Sequence, residues 1–180
     1  LVHNRSDDAP VRIWTCGCST GEEAYSLAIA ISEFMEKSRK RYPVQIFASD
    51  INDRGLEKAR AGLYHENILL DVSPERLRRY FTKTEGFYQV SKSIRDMCVF
   101  ARQNVAIDPP FSNLDLISCR NVLIYLTPVL QKRVMPIFHY ALKPHGILFL
   151  GTSENIGEAS TLFEQVDKKH KFFARKSTPY

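Results

Sequence analysis

The chain has 180 residues, of which 44% are hydrophobic and 25% are charged, and its formal net charge is +5. This size and composition are typical of one α/β domain with its own core, and they exclude a second full domain. No run of about 18 apolar residues occurs, and the first residues lack the basic-then-apolar layout of a signal peptide. The sequence therefore predicts a cytoplasmic protein without membrane insertion.

The four cysteines, at positions 16, 18, 98 and 119, have neither the pair spacing of a metal site nor the density of a disulfide-rich secreted domain. Cys16 and Cys18 could be two ligands of a zinc site, but no second pair or nearby histidine completes a set of four ligands. We expect buried thiols and no metal site.

The first third of the chain alternates between strand and helix patterns. Residues 12–15 are the first predicted strand, and residues 22–37 are a helix. Residues 44–48 are the second strand, and residues 54–61 are a short helix that ends near Gly62. The repetition implies a doubly wound α/β fold, in which helices cover both faces of a parallel sheet. The apolar positions that face the core from the first helix are Ala24, Leu27, Ala28, Ile31, Phe34 and Met35.

The alternation is interrupted between about residues 64 and 97, which we interpret as an inserted subdomain. A helix begins there at Ser73-Pro74. Two strands, at residues 87–90 and 97–102, are separated by a basic link.

The regular pattern then resumes toward the end of the chain. A strand is predicted at residues 114–118, a helix starts at Thr127-Pro128 with proline in its first position, and another strand follows at residues 147–150. A last strand at residues 171–174 is expected to be antiparallel and to lie at the end of the sheet. The domain is predicted to span residues 11–180, preceded by a linker of ten residues.

The segment Gly17-Cys18-Ser19-Thr20-Gly21 lies between the first strand and the first helix, where a doubly wound sheet places its cofactor. Glycine lets the backbone approach a ligand closely, and the free N–H groups of the helix point into the same space. A tight strand-to-helix turn without a ligand has the same pattern, so the turn needs support from other residues.

Three acids supply that support. Asp50 follows the second strand, where a carboxylate can accept both ribose hydroxyls of an adenosine and disfavours a 2′-phosphate; its alternative role is to cap the next helix. Glu22 and Glu23 open the first helix, where acids can simply complement the helix dipole. They also disfavour a phosphate there and favour a cation. S-adenosylmethionine carries a sulfonium and an ammonium, so the acids favour a methyl donor over a dinucleotide.

Four segments, in chain order, resemble the motifs of one family. They are residues 14–26 (WTCGCSTGEEAYS), 47–60 (FASDINDRGLEKAR), 117–125 (ISCRNVLIY) and 142–155 (LKPHGILFLGTSEN). Together they resemble the chemotaxis receptor glutamate methyltransferase (CheR) family over nearly the whole chain. The resemblance implies a Rossmann-like methyltransferase fold, S-adenosylmethionine as cofactor and S-adenosylhomocysteine as product. It also implies methyl transfer to glutamate side chains of a chemoreceptor or related signalling protein.

The resemblance further assigns roles to residues. It implies that Glu22 or Glu23 lies near the methionyl ammonium, Asp50 on the ribose, and Asn104 with Val105 beside the adenine. Tyr125 and Arg120 are the implied catalytic residues, and Tyr125 faces the reacting methyl. The full set of implied cofactor-binding residues is Gly17, Ser19, Thr20, Gly21, Glu22, Glu23, Asp50, Asn104, Val105, Arg120 and Asn121.

The residues themselves support part of this assignment and leave alternatives open. Asn104 and Asn121 come just past predicted strands, at the carboxyl edge of the sheet where ligands bind. Hydrogen bonding at the start of a loop is the alternative for each asparagine. A core phenol with a satisfied hydroxyl is the alternative for Tyr125.

The inserted subdomain resembles the β-subdomain of the family, which in some members binds a receptor's C-terminal tail, although it lacks the glycine-rich insertion of those members. Family members carry an N-terminal helical domain, and nothing equivalent precedes Val11. Residues 71–83 and 130–144 are similar to hybrid proteins that fuse this enzyme to a receptor methylesterase and sensory domains, so a larger multidomain chain is expected.

The resemblance implies an acidic helical region of a receptor as the partner. Residues 75–102 have seven basic side chains against three acids and could bind such a partner, or form an ordinary solvated face.

Two other functions stay open. Residues 108–111 (DPPF) resemble the signature of nucleic-acid amino-methyltransferases, but that signature directly follows its strand, whereas here it precedes the strand at residues 114–118. An enzyme that stacks bases is expected to have exposed aromatic side chains around a basic groove. The aromatics of the basic stretch have instead the spacing of core residues; they are Tyr80, Phe81, Phe87 and Tyr88. We therefore expect no nucleic-acid partner. The other alternative is a module that binds the methyl donor and senses rather than catalyses.

Overall fold

The computed structural model describes residues 9–177; most of the predicted linker, residues 1–8, lies outside this range. The strands are β1 (Val11–Cys16), β2 (Val44–Asp50), β3 (Leu63–His65), β4 (Phe81–Thr84), β5 (Phe87–Val90), β6 (Cys98–Arg102), β7 (Leu114–Cys119), β8 (Leu142–Leu150), β9 (Phe163–Asp167) and β10 (Phe172–Arg175). The helices are α1 (Glu22–Ser38), α2 (Asp53–Ala61), α3 (Pro74–Tyr80), α4 (Lys92–Arg95) and α5 (Pro128–Ala141). None of the helices in this range combines the length and the apolar character needed to cross a membrane.

Seven of the strands form one sheet in the order β6-β2-β1-β7-β8-β10-β9. The first five in this order run parallel, which confirms the predicted doubly wound α/β fold. The direction of the strand order reverses between β1 and β7. In such a sheet the crevice beyond the carboxyl ends of the strands at the reversal is the usual position of a ligand.

The last predicted strand, β10, is antiparallel to both of its neighbours, β8 and β9. It does not lie at the end of the sheet, however, because β9 pairs outside it. Within β9 only Phe163 is buried, so this edge strand lacks the apolar alternation that predicts a strand from sequence.

Adjacent residues of β1 point to two separate cores, one on each face of the sheet. Trp14 packs edge-on against Phe138 of α5, with ring centroids 5.7 Å apart, whereas Ile13 joins the core beneath α1 and α2. Helices therefore cover both faces, as predicted. The buried side of α1 consists of Ala24, Tyr25, Ala28 and Ile29.

That buried side differs from the predicted apolar stripe of α1, because Phe34 is 46% exposed. Tyr25, which is not in the predicted stripe, is buried, and its hydroxyl donates a hydrogen bond of 2.6 Å to the carbonyl oxygen of Ala59 in α2. The periodicity of α1 alone does not reveal this contact.

The inserted region contains a second sheet of three antiparallel strands in the order β3-β5-β4. The predicted helix at Ser73-Pro74 is α3, and the Ser73 side chain caps it by accepting a hydrogen bond from the Arg76 amide. Of the four aromatics predicted for the core, Tyr80 is buried, but Phe87 is 39% exposed. The prediction for Phe87 is wrong because this residue lies at the tip of the β4–β5 hairpin, next to the Gly86 turn.

Ion pairs within the chain compensate much of the basic stretch at residues 75–102. The pairs are Arg76 with Glu33, Arg79 with Glu36, Lys83 with Glu66, Lys92 with Asp96, and Arg102 with Asp53. Exposed pairs of this kind contribute about 0–1 kcal/mol each to stability. They nevertheless reduce the free positive charge that this stretch can offer to an acidic partner.

Candidate active site

A crevice of about 560 Å³ opens at the carboxyl ends of β1, β2, β6 and β7. Its volume is in the range of small-molecule sites, about 300–1,000 Å³. In the described part of the chain, Asp50 is the only charged residue that lines it. The crevice therefore offers an anion and no cation to a ligand. The predicted site residues that line it are Gly17, Ser19, Asp50, Asn104, Val105, Asn121 and Tyr125.

The turn after β1 brings its backbone close to the far wall of the crevice. Gly17 has a φ of +63°, and a Cβ at this position would lie 2.5 Å from Cγ2 of Val122. Gly21 has a φ of +93° and a similar lack of space, since a Cβ would lie 2.9 Å from the Cβ of Ala59. Both positions thus require glycine for conformation and for space.

Asp50 joins the ends of β1 and β2 through backbone hydrogen bonds. Its Oδ2 accepts from the Ser19 amide at 2.8 Å, and its Oδ1 accepts from the Asn52 amide at 2.9 Å. A carboxylate has about four acceptor positions, so both oxygens retain capacity for ribose hydroxyls. The alternative that Asp50 caps α2 is wrong, because the cap is Asn52, whose side chain accepts from the Gly55 amide.

Glu22, the first residue of α1, contacts the turn before that helix and does not line the crevice. Both of its carboxylate oxygens lie within 2.7 Å of the Thr20 hydroxyl, at 2.6 and 2.7 Å. The Thr20 carbonyl oxygen in turn accepts a hydrogen bond of 2.8 Å from the Tyr64 hydroxyl of β3. The inserted subdomain thereby supports this turn.

Glu23 lies deeper, between α1 and the end of β7. Its Oε1 accepts a hydrogen bond of 2.6 Å from the Ser118 hydroxyl, and its Oε2 lies 3.6 Å from Nη1 of Arg120. Burial raises the pKa of Glu23, and repulsion by Glu154 adds to this rise, whereas the Ser118 hydrogen bond and Arg120 oppose it. The net result is a carboxylate that holds its proton more tightly than an exposed glutamate does.

Arg120 does not line the crevice, and its guanidinium lies over the Phe149 ring, 4.8 Å from the centroid. Its Nε is buried and has no hydrogen-bond partner among the described residues. Stacking on Phe149 and the contact with Glu23 hold the guanidinium behind the loop that carries Asn121 and Tyr125.

The charges of all three acids predicted from sequence act on the buried thiol of Cys18. Burial raises the pKa of Cys18 to about 12, and the charges of Asp50, Glu23 and Glu22 contribute to this rise. Cys16 and Cys119 are buried as expected, whereas Cys98 is only partly buried. Among residues 9–177, no three His, Cys, Asp or Glu side chains are arranged to hold a metal ion.

The loop after β6 is held by the segment that resembles a nucleic-acid methylation signature. The Asp108 carboxylate accepts a hydrogen bond of 2.7 Å from the Asn104 amide, and the Phe111 ring stacks on Phe47 at 4.6 Å between centroids. Asn104 Oδ1 accepts from the Ala106 amide at 3.0 Å, so loop-start hydrogen bonding does occur at this asparagine. Residues 108–111 therefore support the crevice from behind instead of lining it.

Tyr125 stands at the mouth of the crevice with 81% of its surface exposed. The alternative of a core phenol is wrong for this residue. Asn121, four residues earlier, has a left-handed backbone with a φ of +57°, and its amide donates to the Glu154 carboxylate at 3.0 Å. The loop between them contributes to the lining of the crevice.

Several lining residues were missed from the sequence because apolar residues at the ends of strands resemble ordinary core positions. Gln103 is only 8% exposed, and its Oε1 has no hydrogen-bond partner among the described residues. Its position just before Asn104, at a strand end, could have indicated it. The missed lining residues are Ser49, Ile51, Gln103, Ala106, Ile107, Val122, Leu126 and Leu130.

The fold is that of the S-adenosylmethionine-dependent methyltransferases. The structure is similar to that of a TehB-like SAM-dependent methyltransferase from Corynebacterium glutamicum, with a TM-score of 0.52 and 13% identity, over 92% of this chain and 78% of that one. It is also similar to the glycopeptide N-methyltransferase MtfA complexed with S-adenosylmethionine, with a TM-score of 0.51 and 11% identity, over 78% of this chain and 43% of that one. Likeness at such low identity shows the fold alone.

Residues 1–172 match the family described as CheR methyltransferase, SAM binding domain, and the chain belongs to this family. The cofactor of the domain is S-adenosylmethionine, and the crevice fits it, because Asp50 retains acceptor capacity and no cation among residues 9–177 lines the crevice to oppose the sulfonium.

Three relatives match most of this chain. The chemotaxis protein methyltransferase of Escherichia coli is 35% identical over 89% of this chain and 58% of its own length. The putative methyltransferase Cher3 of Pseudomonas putida is 37% identical over 92% of this chain and 63% of its own length. An uncharacterized 104.1 kDa protein of Rhodobacter capsulatus is 39% identical over 96% of this chain and 18% of its own length. The chain thus spans less than two thirds of each of these relatives.

Proposed function

We propose that this domain transfers a methyl group from S-adenosylmethionine to glutamate side chains of a chemoreceptor or a related signalling protein, which forms glutamate methyl esters. The observation that carries the proposal is the crevice whose only charged lining residue in the described range is Asp50, with Glu22 and Glu23 in the first turn of α1, directly after the Gly17–Gly21 turn. Bound there, S-adenosylmethionine supplies an electrophilic methyl group on a sulfonium. The named chemotaxis methyltransferases among the relatives support the choice of acceptor.

Different residues in and around the crevice bind different parts of the cofactor. Asp50 accepts the ribose hydroxyls, and Asn104 with Val105 flanks the adenine, as the family resemblance implies; all three residues line the crevice. Glu23, which is held by Ser118 and Arg120, contributes negative charge toward the ammonium end. Gly17, Ser19, Thr20 and Gly21 form the turn that brings the backbone against the ligand.

Methyl transfer to a glutamate needs no general base, because a carboxylate with a reference pKa of about 4.3 is already ionised at neutral pH. Orientation of the incoming carboxylate is then the main task of the protein. Tyr125 is suited to it, because its side chain is 81% exposed at the mouth of the crevice. Its hydroxyl makes no hydrogen bond to other described residues and remains available to an acceptor.

A nucleic-acid amino-methyltransferase is disfavoured by the packing of residues 108–111. The Asp108 carboxylate is engaged by the Asn104 amide, and the Phe111 ring is packed against Trp14 at 5.5 Å and Phe47. Neither side chain lines the crevice, where a flipped base would have to bind.

The partner surface is a proposal as well. An acidic helical region of the receptor would approach the mouth of the crevice at Tyr125. The compensated basic stretch at residues 75–102 contributes less to this approach than its composition suggests, because five of its seven basic side chains are ion-paired within the chain.

Transfer of radiolabelled methyl from S-adenosylmethionine, by the full-length protein, to membranes with and without chemoreceptors tests the proposal. Label on receptor protein that is released by mild base identifies a glutamate methyl ester and supports it. Label on added nucleic acid instead would support the amino-methyltransferase alternative. Cofactor binding without any transfer would support a sensing module.

A further inference from the structure

One buried carboxylate outside the crevice ties together the segment that carries Arg120, Asn121 and Tyr125. Glu154 is only 3% exposed. Its Oε1 accepts hydrogen bonds from the Val122 and Leu123 amides, both at 2.8 Å. Its Oε2 accepts from the Asn121 amide at 3.0 Å and from the Gly151 amide at 2.7 Å. A single side chain therefore satisfies four backbone N–H groups.

These four N–H groups come from two separate parts of the chain. Three belong to the loop after β7, and one belongs to the residue directly after β8. The strands themselves are paired up to Cys119 and Leu150, so Glu154 continues the connection between them just where the ladder ends. Leaving a buried N–H group without a hydrogen bond costs about 1–3 kcal/mol of stability. The four hydrogen bonds to Glu154 therefore favour this conformation of the loop.

The loop turns sharply at its second residue. Asn121 has a φ of +57°, in the left-handed region, which asparagine adopts more often than most residues other than glycine. The space is also tight, since a Cβ on Gly151 would lie 2.7 Å from Glu154 Oε2 and 2.8 Å from Asn121 Oδ1. Glu154, Asn121 and Gly151 thus form one compact unit.

We propose that Glu154 is a positioning residue: its carboxylate holds the backbone of residues 121–123 so that Asn121 and Val122 form the wall of the crevice and Tyr125 stands at its mouth. Its acceptor positions are used by the backbone, so Glu154 acts through the loop and does not contact the cofactor. This inference rests on the cofactor-binding part of the proposed function.

The test replaces Glu154 by an isostere and compares it with a buried carboxylate in β7. In Glu154→Gln, one oxygen becomes an N–H₂ group that faces two N–H donors. The matched control is Asp115→Asn at the opposite end of β7, where Asp115 is 8% exposed and accepts from the Arg12 amide at 2.9 Å and from Lys143. Both variants remove one buried negative charge.

Two readouts separate positioning from general stability. Hydrogen exchange of the amides of residues 121–123 and Gly151 should become at least about tenfold faster in Glu154→Gln and remain unchanged in Asp115→Asn. The affinity for S-adenosylhomocysteine, measured by calorimetry on the full-length protein, should fall about tenfold or more only in Glu154→Gln. Turnover should fall further than affinity, because misplacement by about 1 Å can cost about a hundredfold in rate.

Gly151→Ala provides a second route if Glu154→Gln does not fold, because the added Cβ displaces the same unit while the charge remains. Unchanged exchange and affinity in the variants at 151 and 154 would overturn the proposal, and so would an equal loss of affinity in Asp115→Asn. These readouts need no methyl acceptor. If the wild-type protein methylates no glutamate, the proposed reaction fails, whereas the role of Glu154 is still decided by exchange and binding.

Discussion

Ser118, at the end of β7, donates a hydrogen bond of 2.6 Å to the carboxylate of Glu23, at the start of α1. The two residues are 95 positions apart in the chain, and their contact joins the helix after the first strand to the strand at which the sheet order reverses. It places a partly buried negative charge beside the crevice.

The raised pKa of Glu23 predicts how cofactor binding depends on pH. The ionised carboxylate attracts the cationic cofactor, so affinity should fall as pH is lowered through the raised pKa, at a higher pH than for an exposed glutamate. Calorimetry with S-adenosylmethionine across pH should show this fall, and Glu23→Gln should flatten it. An identical pH profile for the wild type and Glu23→Gln would assign the dependence to another group.

Stability should respond to Glu23 in the opposite direction. The folded protein binds this proton more tightly than the unfolded chain does, so the free energy of unfolding should decrease as pH rises from the ordinary pKa of a glutamate through the raised one. Urea unfolding of the cofactor-free protein at several pH values measures the effect. The slope over this window should be smaller in Glu23→Gln; equal slopes would contradict the prediction.

Asp50→Asn should weaken cofactor binding by roughly tenfold or more, because hydrogen bonds to a charged group contribute about 1.5–3 kcal/mol. The substitution also turns an N–H₂ group toward the backbone amide of either Ser19 or Asn52, both of which donate hydrogen bonds to Asp50. Asp53→Asn is the matched control, since Asp53 is an exposed acid three residues away that pairs only loosely with Arg102, at 3.4 Å. Calorimetry should show unchanged affinity in the control, and a comparable loss in both variants would point to a nonspecific charge effect.

Tyr125→Phe should lower turnover with little change in cofactor affinity, because the hydroxyl is predicted to orient the acceptor carboxylate and not to hold the cofactor. Loss of one such hydrogen bond corresponds to about a tenfold decrease in rate. Tyr140→Phe, at a tyrosine of α5 that is 75% exposed and lies outside the crevice lining, serves as control. Rates come from methyl transfer to receptor membranes, and undiminished turnover in Tyr125→Phe would remove this residue from the mechanism.

Gly17→Ala should destabilise the protein and disturb the crevice together. The left-handed backbone costs a side chain about 1–2 kcal/mol, and overlap with Val122, 2.5 Å from the added Cβ, adds roughly 1–3 kcal/mol. Gly86→Ala isolates the first of these effects, since Gly86 has a φ of +71° with no atom within 4 Å of its Cβ position. Urea unfolding should show the larger loss in Gly17→Ala, and calorimetry should show weaker cofactor binding in that variant alone.

Local patterns were sufficient for the doubly wound fold and for the general position of the site. The 3.6-residue period of α1 and the apolar runs of β1, β2 and β7 involve only residues that are close together in the sequence. Parallel strands then bring their carboxyl ends to one edge of the sheet. Asp50, Asn104 and Asn121 follow strands, so they could be expected at that edge without knowledge of the contacts. The acids at the start of α1 likewise indicated a cationic ligand.

Only the tertiary structure decided which neighbour each polar side chain has. It selected Asn52 rather than Asp50 as the cap of α2, paired basic residues of the inserted region with acids of α1, and exposed Phe34 on a helix whose period predicts burial. It also brought Glu154 to amides 31–33 positions earlier in the chain. Such contacts depend on the register and twist of strands that are distant in sequence, which the period of a single element does not encode.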